Sequence, residues 1–208
     1  YDAQMNFLLA AIGGKDSMSG TYQDINVPPT LISFACANGE KKNIISPEFK
    51  KTGNHLYIFN HQPQPNGMPN YTSLKTAYEF VFQQIEDGNI VSAKTVKNGG
   101  VAVALAKMSL GNHLGADVDF DADNLLTKAC GSMILEAKHK IDHELFVKIG
   151  EVSSSTRLKI NDEKFELEEL LSAWTGTFSE LFPTHEKEKI TLDIKTSDLV
   201  KDIPSVII

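Results

Sequence analysis

The chain has 208 residues, of which 41% are hydrophobic and 23% charged, and its formal net charge is −7. That is enough sequence, of ordinary globular composition, for one sizeable domain or one and a half. The acidic balance speaks against a nucleic-acid partner, because phosphate backbones are held by basic faces. No apolar run reaches the length of a membrane span and no basic-then-apolar leader opens the chain, so a cytoplasmic protein with no membrane partner is expected.

Residues 1–12 turn from mixed to apolar and read as the tail of a helix or a strand. The chain lacks an initiating methionine and starts inside this element, which suggests a piece of something longer. Gly13-Gly14-Lys15-Asp16-Ser17-Met18-Ser19-Gly20 reads as a polar, glycine-rich loop, either an exposed turn or a contact for an anion or a metal–phosphate. Val27 to Cys36 is a strand opened by Pro28 and Pro29. Residues 37–42 form a turn and a plausible domain boundary. Ile44-Ile45 and His55 to Phe59 read as strands, and His61 to Asn70 is a proline-rich loop of the kind that often carries function.

The stretch 70–115 is the most structured. Leu74, Ala77, Tyr78, Val81, Phe82 and Ile85 recur at three- and four-residue steps, which predicts an amphipathic helix over 73–86, capped by Ser73 and stopped at Gly88. A strand over 90–96 follows, then the turn Lys97-Asn98-Gly99-Gly100, then a helix over 101–110 so apolar that it must be covered on more than one side. A helix N-terminus offers unpaired N–H groups and partial positive charge, so this turn suits a phosphate or carboxylate, with Lys97 and Asn98 beside it. Alternatively, the paired glycines only serve the turn and close packing. Neither a Walker A loop nor a dinucleotide fingerprint is present.

Beyond Gly115, Val118 and Phe120 alternate with Asp117, Asp119 and Asp121, a solvated edge-strand pattern. Ala122 and Lys128 stand where a calcium loop needs Gly and Glu, so that motif is rejected. Strands follow over 131–136 and 145–150, and 157–167 form a hairpin. His139 and His143 lie in the charged linker between the first two and lack the glutamate of a zinc protease. Leu167, Leu170, Leu171, Trp174, Phe178, Leu181 and Phe182 give an amphipathic helix, weakened at Gly176 and ended by Pro183, whose stripe reads as core. Cys36 and Cys130 stand in apolar surroundings and read as buried, reduced core residues. Strands interleaved with helices make the chain α/β or α+β.

Several ordered blocks together resemble one family. Gly14-Lys15-Asp16-Ser17-Met18-Ser19, the proline-led strand after it, Ile45-Ser46-Pro47-Glu48-Phe49-Lys50 with Leu56-Tyr57-Ile58-Phe59, and Gly99-Gly100 with the helix to Met108 are similar to the second half of phosphoribosylformylglycinamidine synthase. The resemblance implies an aminoimidazole-ribonucleotide-synthase-type C-terminal domain, a mixed sheet with covering helices, over 41–185. It places the tail of a nucleotide-side domain at 1–40 and a linker toward a missing glutaminase domain at 186–208. It implies a parent ligase of purine biosynthesis that uses ATP, Mg2+ and glutamine to make formylglycinamidine ribonucleotide. The partners would be its first synthetase half and its glutaminase domain, and this chain would be inactive alone. It assigns no catalytic residue here. The candidate nucleotide- or phosphate-binding positions, read from the glycine-rich segment and the helix head, are Gly13, Gly14, Lys15, Asp16, Ser17, Lys97, Asn98, Gly99 and Gly100. Many members carry Asp-Arg-Ser-Asp-Gly-Gly before the helix, whose first Asp and Ser serve metal and nucleotide. Here Thr95 and Lys97 stand in those places. The other reading is a scaffold domain of the same fold that has lost nucleotide binding.

Overall fold

The computed structural model describes residues 1–17 and 20–183. The chain opens with a one-and-a-half-turn helix, α1 (Asp2–Phe7), closed by Leu8 in the left-handed conformation. Both expectations for residues 1–12 therefore hold in part, because a helix is followed at once by a strand. That strand, β1 (Ala11–Ser17), contains Gly13 to Ser17, which were expected to form a loop. They are held extended by antiparallel pairing with β4 (Thr30–Ala35), where Lys15 sits opposite Ile32 and Asp16 opposite Leu31. Two short strands, β2 (Gly20–Tyr22) and β3 (Ile25–Val27), make a separate ribbon, and the two prolines sit between β3 and β4.

The remaining strands form one seven-stranded sheet: β5 (His55–Phe59), β6 (Ile90–Thr95), β7 (Gly115–Val118), β8 (Met133–Ala137), β9 (Phe146–Ser153), β10 (Arg157–Ile160) and β11 (Glu163–Glu166). Their spatial order is β11-β10-β7-β9-β5-β8-β6, and every pair is antiparallel except β10 with β7. The expected mixed sheet with covering helices is present. β7 is not an edge strand, since it pairs on both sides. Its one aspartate, Asp117, is exposed, and Asp119 and Asp121 follow beyond the strand end. Ile44-Ile45 form no strand: a short 3-10 turn at Lys41–Asn43 precedes them, and the pair is followed by Ser46 and Pro47, which cannot extend a ladder.

Two helices cover opposite faces. α2 (Tyr71–Glu86) buries Leu74, Ala77 and Val81 against Tyr57, Phe59, Leu135 and Phe146. α3 (Gly100–Asn112) buries Val101, Ala104, Leu105 and Met108 against Leu56, Ile58, Ile134, Ile149 and Leu158. Neighbouring residues of β5 thus serve both layers, which explains its unbroken apolar run. α3 is also covered by Phe49, whose N–H donates to the Met108 carbonyl at 2.9 Å. The cap of α2 is Asn70 rather than Ser73: its Oδ1 accepts the Ser73 N–H at 3.2 Å. Phe82 is exposed, and Phe80 takes the inner place instead, 5.0 Å from Phe146 between ring centroids. The buried Glu136 carboxylate accepts from the Lys50 and Lys51 N–H groups and from Asn54 Nδ2, pinning the 49–54 turn to β8.

The chain divides into two units, Tyr1–Leu171 and Ser172–Ile208. The last helix, α4 (Leu167–Gly176), is shorter than expected: it ends at Gly176, and 177–182 form a turn closed by the Phe182 N–H on the Phe178 carbonyl at 2.7 Å. Leu167 is buried in the core and Leu170 packs against it, whereas Trp174, Phe178, Leu181 and Phe182 are exposed, so only the first turn of the stripe expected as core is buried. Met18, Ser19 and the expected linker at 186–208 lie outside the described residues.

Candidate functional site

A hollow of about 440 Å3 in the first unit opens at the head of α3. Its walls are the β5–α2 loop, including Asn60, His61 and Gln62, and the β7–β8 loop, including Asn124, Lys128 and Cys130, with Val101 between them. His61 ties the two loops together and is buried. Its Nε2 accepts the Asn70 N–H at 3.0 Å, which places the proton on Nδ1, and Nδ1 donates to the Cys130 carbonyl at 3.0 Å. The His61 N–H donates to Ser132 Oγ at 2.9 Å, and Tyr78 Oη donates to the Gly131 carbonyl at 3.0 Å. Partial burial pushes the Tyr78 phenol up from its ordinary value. Gly131 stands at φ +90°, and a Cβ there would lie 3.0 Å from His61 Nδ1. The floor is therefore a closed hydrogen-bonded lattice, while Gln62, Lys128 and Cys130 stand exposed at the rim.

Lys97, Asn98, Gly99 and Gly100 lie on the turn between β6 and α3, at the same helix head. Lys97 and Asn98 are exposed. Gly99 and Gly100 both have positive φ, +84° and +65°, so the glycines are required by the turn itself. The helix head is also partly used by its own chain. The Ala102 N–H donates to the Leu125 carbonyl at 3.1 Å, and a Cβ on Gly100 would lie 2.4 Å from that oxygen. Gly13, Gly14, Lys15, Asp16 and Ser17 lie elsewhere, on the β1–β4 ribbon. The structure thus brings together Lys97 to Gly100 but sets the Gly13 group on a different sheet.

The donors at the turn do not suit a magnesium ion. Thr95, Lys97 and Asn98 include no carboxylate and one cation, and no group of three or more His, Cys, Asp or Glu able to hold a metal occurs among the described residues. His61 is the site residue missed from sequence, although its loop was singled out. Nothing local reveals that both of its nitrogens meet partners 9 and 69 residues away. Both cysteines are exposed rather than buried. Cys36 follows the ribbon and Cys130 sits on the rim loop, so apolar neighbours in sequence did not imply burial. No helix among the described residues is long and apolar enough to cross a membrane.

No family model matches the chain. It is 25% identical over 185 residues to the phosphoribosylformylglycinamidine synthase subunit PurL of Methanocaldococcus jannaschii, covering 78% of this chain and 25% of that protein. It is 24% identical over 196 residues to the same subunit of Sulfurimonas denitrificans, covering 80% and 26%. The chain therefore spans about a quarter of the length of the curated relatives it matches. Among solved structures, PurLQS from Thermotoga maritima superposes with a TM-score of 0.59 at 15% identity, over 70% of this chain and 30% of that one. T. maritima PurL complexed with FGAR gives 0.53 at 13% identity, over 70% and 32%. T. maritima PurL complexed with ATP gives 0.51 at 13%, over 68% and 28%. In sequence and in fold, most of this chain is similar to a part of phosphoribosylformylglycinamidine synthase subunit PurL.

Proposed function

We propose that this chain is part of an ATP- and glutamine-dependent ligase that converts formylglycinamide ribonucleotide to formylglycinamidine ribonucleotide in purine synthesis in the cytoplasm. One observation carries the reading: most of the chain matches PurL in sequence, and most of it matches PurL structures in fold, among them complexes with FGAR and ATP. The reaction activates an amide oxygen by phosphoryl transfer and then admits ammonia. In this reading a first synthetase half and a glutaminase domain supply the rest of the machinery, and this chain alone does not turn over. Lys97 and Asn98, at the positively polarised head of α3, face a nucleotide phosphate. Lys97 supplies there the charge that a metal supplies in relatives with an aspartate in place of Thr95. Gly13, Gly14, Lys15, Asp16 and Ser17 form a second phosphate contact once their ribbon is covered.

A second reading is favoured by a specific contact. The Leu125 carbonyl already takes the Ala102 N–H, and the backbone at 125–126 packs on Gly100. A head so occupied suits a scaffold domain that has lost nucleotide chemistry. A thermal-shift titration of this chain with ATP and ADP, with and without magnesium, separates the two. Nucleotide at 100 times its dissociation constant adds about 2.7 kcal/mol, roughly 5–10 °C for a chain of this size. The ligase reading expects that shift without a magnesium requirement and its loss in Lys97→Ala. A flat titration, in this chain and in its full-length parent, supports the scaffold.

A further inference from the structure

A second hollow of the first unit lies apart from the site described above. It occupies about 330 Å3 on the sheet face that α2 leaves open, and is lined by Asp117, the serine turn 153–155, Arg157, Lys159 and Lys164. We infer that this hollow is a binding site for a phosphate-class oxyanion, held between Lys159 and Lys164 over the serine turn.

The strand register sets the charges in a row. Lys164 on β11 pairs with Lys159 on β10, Lys159 with Asp117 on β7, Asp117 with Glu151 on β9, and Glu151 with His55 on β5. The acidic end of this row is satisfied. Glu151 binds Lys148 at 2.6 Å and His55 at 3.1 Å, and the lysine first, then the histidine, hold its carboxyl below the usual value. The basic end is not: neither the Lys159 nor the Lys164 side chain has an ion pair or hydrogen bond among the described residues. Like charges directly opposite each other on paired strands are destabilising, and an anion between them removes that cost. With Arg157 paired to Glu166, Lys159 and Lys164 against Asp117 still leave the lining positive in a chain of net charge −7.

The serine side of the hollow is built, not loose. The Gly115 N–H donates to the Ser155 carbonyl at 2.8 Å, and a Cβ on Gly115 would lie 2.1 Å from the Arg157 carbonyl, so the turn is folded hard onto β7. Ser155 Oγ donates to the Arg157 carbonyl at 3.0 Å and lies 2.8 Å from Ser153 Oγ. Arg157 is fixed by Glu166 at 2.6 Å. A turn and a guanidinium held in place before a ligand arrives lose little entropy in binding it. Asp117 is the opposing element, competing for Lys159 and weakening the site.

The test is a titration of the chain with inorganic phosphate against sodium chloride at equal ionic strength, followed by thermal shift and by backbone amide NMR. Wild type shows a saturable shift with amide changes at Ser154, Ser155, Lys159 and Lys164. Affinity falls at least about tenfold in the Lys159→Gln, Lys164→Gln double variant and rises in Asp117→Asn. Without phosphate the double variant melts about 1–2 °C higher, because the repulsion is gone. This rise separates a lost site from a damaged fold. A response matched by chloride, or a saturable response undiminished in the double variant, overturns the site. Because Lys97 is untouched in these variants, the result is independent of the nucleotide reading above.

Discussion

Glu48 shows how one side chain writes itself into the pH dependence of the fold. Lys50 and then Ser46 bond its carboxylate, at the Lys50 contact and at 2.6 Å respectively, and together hold its carboxyl at about 2 against an ordinary 4.5. Between those values the unfolded chain takes up a proton that the folded chain refuses, so stability rises with pH across this window. The contribution is complete above about 4.5 and is lost as pH falls through about 2. Urea midpoints from pH 5 to 2 should therefore fall more steeply for wild type than for Glu48→Gln, and equal slopes would show that Lys50 does not hold the carboxylate. The Ser-Pro-Glu-Phe-Lys run was legible as a turn, since proline and short polar residues announce one. Its internal pairing was not, because a turn places several donors within reach and sequence does not rank them. Glu136 was less legible still: a carboxylate inside an apolar strand is explained by the Lys50 and Lys51 N–H groups and the Asn54 amide, all more than 80 positions away.

At the scale of elements, the junction of β6 and α3 decides how the layers meet. Gly100 combines positive φ with a neighbour that leaves no room for a side chain. Gly100→Ala should cost about 3 kcal/mol or more, read as a fall of roughly 6–12 °C in melting temperature. Gly13→Ala, with open space around it and an extended backbone, should stay within about 0.5 kcal/mol. Similar melting temperatures for the two variants would remove the packing role given to Gly100. Here the sequence spoke plainly, as strand, Gly-Gly and apolar helix follow in the order seen, and the demand that α3 be covered twice is met by the sheet and Phe49. What it could not show is that the covering backbone comes from Leu125 and Leu126. By contrast, the glycines at 13 and 14 suggested a loop, and strand pairing overrode that local preference.

At the scale of the whole molecule, the sheets differ in what supports them. The seven-stranded sheet has a helix on each face, whereas β1 and β4 make a two-stranded ribbon whose Ile12, Ile32 and Phe34 stay exposed. Two strands alone are marginal in water. Hydrogen exchange should find the Ile32 amide exchanging at least about a hundredfold faster than that of Leu135, and equal protection would mean that the ribbon is covered in solution. The fold class was legible because strand and helix periods alternate clearly after residue 55. The sheet order was not, because it is set by pairings far apart along the chain. That distance also orders the birth of the molecule. Tyr57 of β5 pairs with Leu135 of β8 and Lys148 of β9, which follow it by about 80–90 residues. At a synthesis rate of about 5–20 residues per second, β5 waits roughly 4–18 s after it is made before both its neighbours exist. During that interval Leu56, Tyr57, Ile58 and Phe59 are an unpaired apolar strand on a nascent chain, open to chaperones that hold extended apolar segments.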